Sequence, residues 1–281
     1  MFKSEQCSAL LARSRACDRL QASAGSVSSS GFQREIITPT EILRWGPPPK
    51  RRGTSAHRLY VTGDTHIPAD IQKLTSKRFP VQKEMTKSDY LIICGDFGGV
   101  WDGSNEEKHW IKWLKNKGFT TLFVDGNHEN FEMLCSLPIV EFGNSYVHKV
   151  DEGIFHLMRG EIYTIDNKKI FTFGGAASHD KENRKEGRNW WREEMPSCDE
   201  YKRAEESLLK NDFSVDYIIT HSAPESIQSK IAPAYEKNEL TDFLESIKDK
   251  TIYNKWFFGH YHKDIICDEK HIGIFNEIIE L

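Results

Sequence analysis

No stretch of this chain comes near the ~18–20 consecutive apolar residues that cross a bilayer, so nothing in it reads as a membrane span. Its 6 cysteines, Cys7, Cys17, Cys94, Cys135, Cys198 and Cys267, include no C-x-x-C pair. Thiols scattered in this way argue against a disulfide framework and for a reducing cytoplasm. Positive charge is not in excess either: 38 basic against 42 acidic residues leave a formal net charge of −4. That balance offers no electrostatic footprint for nucleic acid or an anionic membrane surface. No internal repeat is present. What remains is a chain of 281 residues, 38% hydrophobic and 11% aromatic, enough to bury the core of a soluble enzyme-sized protein.

Residues 1–57 differ from all that follows. "ARSRACDRLQASAGSVSSSG" and "GPPPKRRGTS" are rich in Ser, Gly, Pro and Arg and lack apolar periodicity. A disordered N-terminal extension is expected there, with the folded domain over residues 58–281. The Arg and Ser content also has the character of a mitochondrial transit peptide, which Glu5, Asp18, Glu35 and Glu41 weaken.

From Leu59 the rhythm changes. "LYVTG", "DYLIICG" and "TTLFVDG" are short β-rich runs, each stopped by glycine. Between the second and third, "NEEKHWIKWLKNKG" carries Trp110, Ile111, Trp113 and Leu114 on one helical face. Strand, helix and strand at this spacing imply parallel strands joined by crossovers. "EIYTIDNKKIFTF" reads as a hairpin turning at "DNKK". Helices are expected from about Cys198 to Lys210 and over "NELTDFLESIKDK", where Leu240, Phe243, Leu244 and Ile247 form one stripe. "YIIT", "WFF", "DIIC", "HIGIF" and "EIIEL" read as further short strands.

The polar residues that look misplaced all sit at the carboxyl ends of expected strands. Asp64 and His66 follow "LYVTG", Asp96 follows "LIICG", and Asn127 and His128 follow "LFVDG". His221 follows "YIIT", and His260 and His262 follow "WFFG". In open α/β sheets that edge is where ligand sites form. Two carboxylates, an amide oxygen and several imidazoles suit Mn, Fe, Co, Ni or Zn. They exceed what one ion needs, so a binuclear site fits them better.

The ordered blocks "GDTH", "GDFGG", "GNHE", the lone His221 and "GHYH" resemble the calcineurin-like metallophosphoesterase family, over nearly all of the chain from Arg58 onward. "TTLFVDGNHENF" and "IFTFGGAASHDK" are similar to its compact bacterial or prophage-encoded branch. The resemblance implies an α/β fold, a four-layer αββα sandwich of two mixed sheets flanked by helices. It implies two divalent cations, manganese foremost, one on Asp64, His66 and His262 and the other on Asn127, His221 and His260, with Asp96 bridging. His128 becomes the catalytic, non-ligand histidine that donates a proton to the leaving group. The implied reaction is hydrolysis of phosphoric mono- or diesters by a hydroxide generated at the metals. A nuclease or a non-catalytic metal-binding scaffold on the same fold are the alternatives. Gly99 stands where some members carry an aspartate that holds the catalytic histidine, which leaves Asp102 or a backbone carbonyl to orient His128.

On the substrate side, the irregular segment Ser178 to Ser197 contains Arg184, Arg188, Trp190 and Trp191. Arginine pairs with phosphate oxygens and tryptophan stacks on aromatic leaving groups, so these four are candidate substrate contacts. Arg159 is a weaker candidate. Tyr261 serves only as spacing or packing, and His148, His156, His179 and His271 are assigned no role.

Overall fold

A computed structural model describes residues 57–281. The expectations of a disordered extension and of a transit peptide fall on residues 1–56, outside the described residues. No helix among the described residues is long and apolar enough to cross a membrane.

Among the described residues, thirteen strands form two mixed sheets. The first orders its seven strands β13-β1-β2-β3-β6-β5-β4: β1 (Leu59–Thr62), β2 (Tyr90–Ile93), β3 (Thr120–Phe123), β4 (Ile139–Phe142), β5 (Ser145–Asp151), β6 (Ile154–Leu157) and β13 (Ile278–Glu280). Strands β1, β2, β3 and β6 run parallel, and β13, β5 and β4 close the edges antiparallel. The second sheet orders six strands β11-β12-β10-β9-β8-β7: β7 (Glu161–Ile165), β8 (Lys168–Phe173), β9 (Tyr217–Thr220), β10 (Lys255–Phe258), β11 (Ile265–Ile266) and β12 (His271–Gly273). Here β8, β9, β10 and β12 are parallel, and β7 and β11 are antiparallel edges. Every residue of β1, β2 and β3 is buried. That explains their unbroken apolar runs, since parallel strands covered on both faces do not alternate.

Three apolar layers define the sandwich. Between the sheets, Leu59, Val61, Ile92, Leu122 and Phe155 meet Tyr163, Ile170, Ile219 and Phe257. Outside the first sheet lie α1 (Asn105–Lys115), α2 (Phe131–Ser136) and the short 3-10 turns Ile71–Leu74 and Pro80–Glu84. Outside the second lie α3 (Cys198–Lys210), α4 (Glu225–Ile231) and α5 (Glu239–Lys250). The expected four-layer αββα arrangement is therefore present. Leu240, Phe243, Leu244 and Ile247 are fully buried, as the stripe in α5 required. The β7–β8 hairpin turns at Asp166 and Asn167, both at positive φ (49° and 61°), the conformation of a two-residue primed turn. Cys94 and Cys267 carry free thiols.

Because the parallel strands of the two sheets present their carboxyl ends at one edge, the loops after β1, β2, β3, β9 and β10 converge there.

Candidate metal centre

Donor atoms from four of these loops fall into two groups. In the first, one ligand atom each from Asp64, His66, Asp96 and His262 lie within 4.8 Å of one another; in the second, so do those of Asp96, His221 and His260. Asp96 belongs to both. His66 Nε2 lies 3.2 Å from Asp96 Oδ2, His221 Nε2 3.4 Å from the same oxygen, and His262 Nε2 3.2 Å from Asp64 Oδ2.

The backbone is bent to bring them there. His66, Asp96, His260 and His262 all have positive φ (33°, 43°, 67° and 48°), an uncommon conformation for residues with a Cβ, and one that concentrates at functional sites. Two glycines make the close approach possible. A Cβ on Gly126 would lie 2.1 Å from Asp96 Oδ1 and 2.7 Å from His221 Nε2, and one on Gly259 would lie 2.1 Å from Asp64 Oδ1. Positive φ at His260 and His262 points both imidazoles to the metal edge. Tyr261 between them turns into the core, where its hydroxyl donates to Gln228 Oε1 (2.8 Å) and accepts from Ala223 N (3.1 Å).

Orientation of the rings comes from their outer nitrogens. His221 Nδ1 donates to the Cys94 carbonyl (2.8 Å), and His66 Nδ1 meets Asp70 Oδ2 (2.9 Å). Each Nε2 is thereby aimed at Asp96. His221 Nε2 and Asn127 Oδ1 are buried without a hydrogen-bond partner, a costly condition for a polar atom unless a cation fills it. A divalent ion fits this donor set.

The electrostatics agree. Burial pushes His66 and His221 down, but the carboxylates of Asp96 and Asp64 more than offset it, holding them at about 9 and about 10. Burial pushes Asp96 up, yet His221 and His66 keep it well below the usual carboxylate range. Two buried carboxylates thus demand positive charge, supplied by protons on imidazole or by metal.

Several supporting residues escaped the sequence reading. Glu129 is fully buried and clamps two ligand loops, accepting from Phe97 N (2.7 Å) and Gly126 N (2.8 Å). Its place in "GNHE" was its only signal. Lys73, buried with its pKa lowered to about 8 by desolvation, donates to the carbonyls of Asp64 and Phe275. Asn127 Nδ2 donates to Ser178 Oγ (3.3 Å), which donates to Glu194 Oε2 (2.7 Å). That chain fixes the amide with Oδ1 toward the cluster. Ser178→Ala is expected to weaken metal affinity or turnover by about 10-fold, the low end for loss of an outer-shell partner; unchanged cation titration curves would refute the assignment.

His128 sits beside the cluster, its ring 5.5 Å from His66 and 6.5 Å from Trp101. Asp102 does not orient it: that carboxylate accepts from Ser104 N (2.8 Å) at the head of α1. The link runs instead through the main chain, with His128 N donating to Asp96 Oδ1 (2.8 Å). Nor is there room for a carboxylate at position 99, since a Cβ on Gly99 already meets Phe97 Cε1 at 2.5 Å. Burial lowers the His128 pKa below the ordinary imidazole value, with the nearby Arg184 charge contributing.

Of the four candidate substrate contacts, Arg184 is half-buried and paired with Asp180 (2.7 Å), near enough for its charge to reach His128. Arg188 is exposed and Trp190 half-buried. Trp191 is a packing residue: it is buried in the layer outside the first sheet, edge-on to Trp101 at 5.3 Å. Arg159 is spent on Asp125. His179, assigned no role, lies 3.9 Å from Tyr235 and 6.0 Å from His260, at the rim of the second donor group.

Comparison with curated proteins finds no match. The family model for calcineurin-like phosphoesterase matches residues 57–264, a span that contains all the loops just described, and the chain belongs to that family.

Proposed function

We propose that this protein hydrolyses phosphoric mono- or diesters with two divalent cations, manganese(II) the first to be tried. Asp64, His66 and His262 would hold one ion, Asn127, His221 and His260 the other, and Asp96 both. When bound, such a pair acts as a Lewis acid on phosphoryl oxygens and acidifies water at neutral pH.

The chain's own contribution is alignment and proton control. In this reading the loops after β1 and β10 supply one half of the donor set, and those after β3, β9 and β10 supply the other. Asp96 ties the position of His128 to the cluster through the main-chain hydrogen bond. A phosphate dianion beside His128 offsets its desolvation and favours imidazolium, the form that can donate to a departing alkoxide. Arg184, whose charge acts on His128, is the cation proposed to pair with a phosphate oxygen not engaged by the ions.

The observation that carries this reading is the carboxylate of Asp96 shared by two donor groups, together with Asn127 Oδ1 and His221 Nε2 buried without a hydrogen-bond partner. An intact donor set with His128 retained beside it also speaks against a purely structural scaffold.

The test is a manganese titration of metal-free protein, followed by assay with p-nitrophenyl phosphate and bis(p-nitrophenyl) phosphate. Two bound equivalents with turnover of either ester are expected, along with proton release as His66 and His221 give up their protons. Affinity for the ions therefore falls as pH drops below about 9, where His66 becomes protonated. Two ions bound with no hydrolysis of either ester would overturn the proposal.

A further inference from the structure

A separate cavity of about 240 Å³ opens on the other side of Asp125, lined by none of the seven proposed ligands. Its floor is a buried chain of charge and imidazole. Asp125 accepts from Arg159 Nε (2.8 Å) and Nη2 (2.5 Å) on one oxygen and meets His156 Nε2 (3.0 Å) on the other. His156 Nδ1 faces His148 Nδ1 at 3.0 Å. Both rings line the cavity, and His148 Nε2 has no protein partner among the described residues. Because ionised Asp125 accepts from His156 Nε2–H, the neutral His156 Nδ1 accepts from His148 Nδ1–H, which leaves His148 Nε2 an acceptor.

At the mouth stands Arg203, whose nearest carboxylate, Glu161, is 3.8 Å away and whose other contact, to the Arg159 carbonyl, is 3.5 Å. It is the loosely held cation here, because Arg159 is committed to Asp125 and Arg192 to Glu186 at 2.5 Å. Of the acids lining the cavity, Asp125 is saturated and Glu200 caps α3 while reaching Arg159; Glu193 and the exposed Asp199 sit at the rim. The walls are apolar: Phe131, Leu134, Ile139, Met158 and Met195. A mostly apolar cavity with a few convergent polar groups is the usual form of a small-molecule site.

We propose that this cavity binds a small monoanion with a short apolar body, its carboxylate on Arg203 and its body against the apolar wall and the His148 ring, and that its occupancy is felt at Asn127. Two routes connect the sites. Asp125 precedes Asn127 by two residues, and its carbonyl is held by Gly175 N at 3.0 Å. Arg159 Nη2 also donates to the Glu193 and Glu194 carbonyls (2.9 and 3.3 Å), and Glu194 holds the Ser178 that orients Asn127. A ligand that presses on the His148 ring or crowds Arg159 pulls on both. Binding itself is independent of the reaction, whereas the coupling to metal rests on the reading of Asn127 as a ligand.

Hexanoate serves as the probe, with hexanol and acetate as controls, titrated calorimetrically into the full chain without metal. Saturable binding of hexanoate is expected, at least about tenfold weaker for each control and for Arg203→Ala, with partial recovery in Arg203→Lys. Absence of saturable binding at millimolar concentration, or equal affinity in Arg203→Ala, overturns the site. Coupling is read from the Asn127 side-chain amide resonances, which shift on binding; binding with those resonances unmoved overturns the coupling alone. Neither readout requires turnover, so failure of phosphoester hydrolysis would leave the binding result standing.

Discussion

On the proposed function, replacing Asp96 with asparagine is expected to lower phosphoester turnover by roughly a thousandfold or more and to reduce bound manganese below two equivalents. The magnitude follows from what is lost. Asp96 is the one carboxylate common to both donor groups, and an amide removes the negative charge that would lie between two cations. Losing a single electrostatic contact to the reacting centre costs on the order of 100- to 1000-fold, and here the defect extends to ion occupancy. The fold survives, because asparagine keeps an oxygen for the His128 main-chain N–H now received by Asp96 Oδ1 (2.8 Å). The check is metal content by mass spectrometry, turnover of both nitrophenyl esters, and an unchanged circular dichroism spectrum. A well-folded variant that retained two ions and wild-type rates would remove Asp96 from the proposed role.

The placement of this site was legible because its residues violate local expectation. Short apolar runs that stop at glycine and then present Asp, Asn or His have no packing reason to do so, and five such ends identify one edge of the sheets. The αββα layering followed from the resemblance, and the apolar stripe of α5 followed from period alone. Other features had no local signal. Strand β13 leaves the second sheet's neighbourhood and pairs antiparallel with β1; "EIIEL" carries the same pattern whichever sheet receives it. Ser178 and Glu194 lie in an irregular loop, and their hold on Asn127 depends on a chain reversal that periodicity cannot report. Trp191 was read as a substrate contact because its loop is polar, yet Trp101 and the layer outside the first sheet cover it. Asp102 was named as a partner for His128 because Gly99, three residues before it, stands where some family members carry the orienting aspartate. The turn into α1 instead commits it to Ser104.

Arg159→Met is expected to produce the largest loss of stability. Arg159 and Asp125 are both almost wholly buried, and two guanidinium nitrogens reach one carboxylate oxygen. Removing the cation leaves a carboxylate in the interior with only His156 beside it. Breaking one side of a buried pair costs about 3–5 kcal/mol, which lowers the melting temperature by on the order of 10 °C in a domain of this size. The pH dependence has a definite sign. Burial alone would raise the Asp125 pKa, but Arg159 and His156 hold it well below the usual carboxylate range. A depressed folded-state pKa contributes stability that is fully present above the unfolded value of about 3.9 and is lost as pH falls through the folded value. In Arg159→Met desolvation wins and the Asp125 pKa rises, so protonation relieves the buried charge in the variant. The gap between wild type and variant is therefore widest near neutral pH and narrows toward about pH 4, measured by urea unfolding at each pH. Adding Asp125→Asn to Arg159→Met removes the unpaired charge and recovers part of the loss, whereas Asp125→Asn alone destabilises by stranding Arg159. A double variant as unstable as the sum of the two single variants would show that the pair does not act as a unit, and the floor of the second cavity would then be a packing feature only.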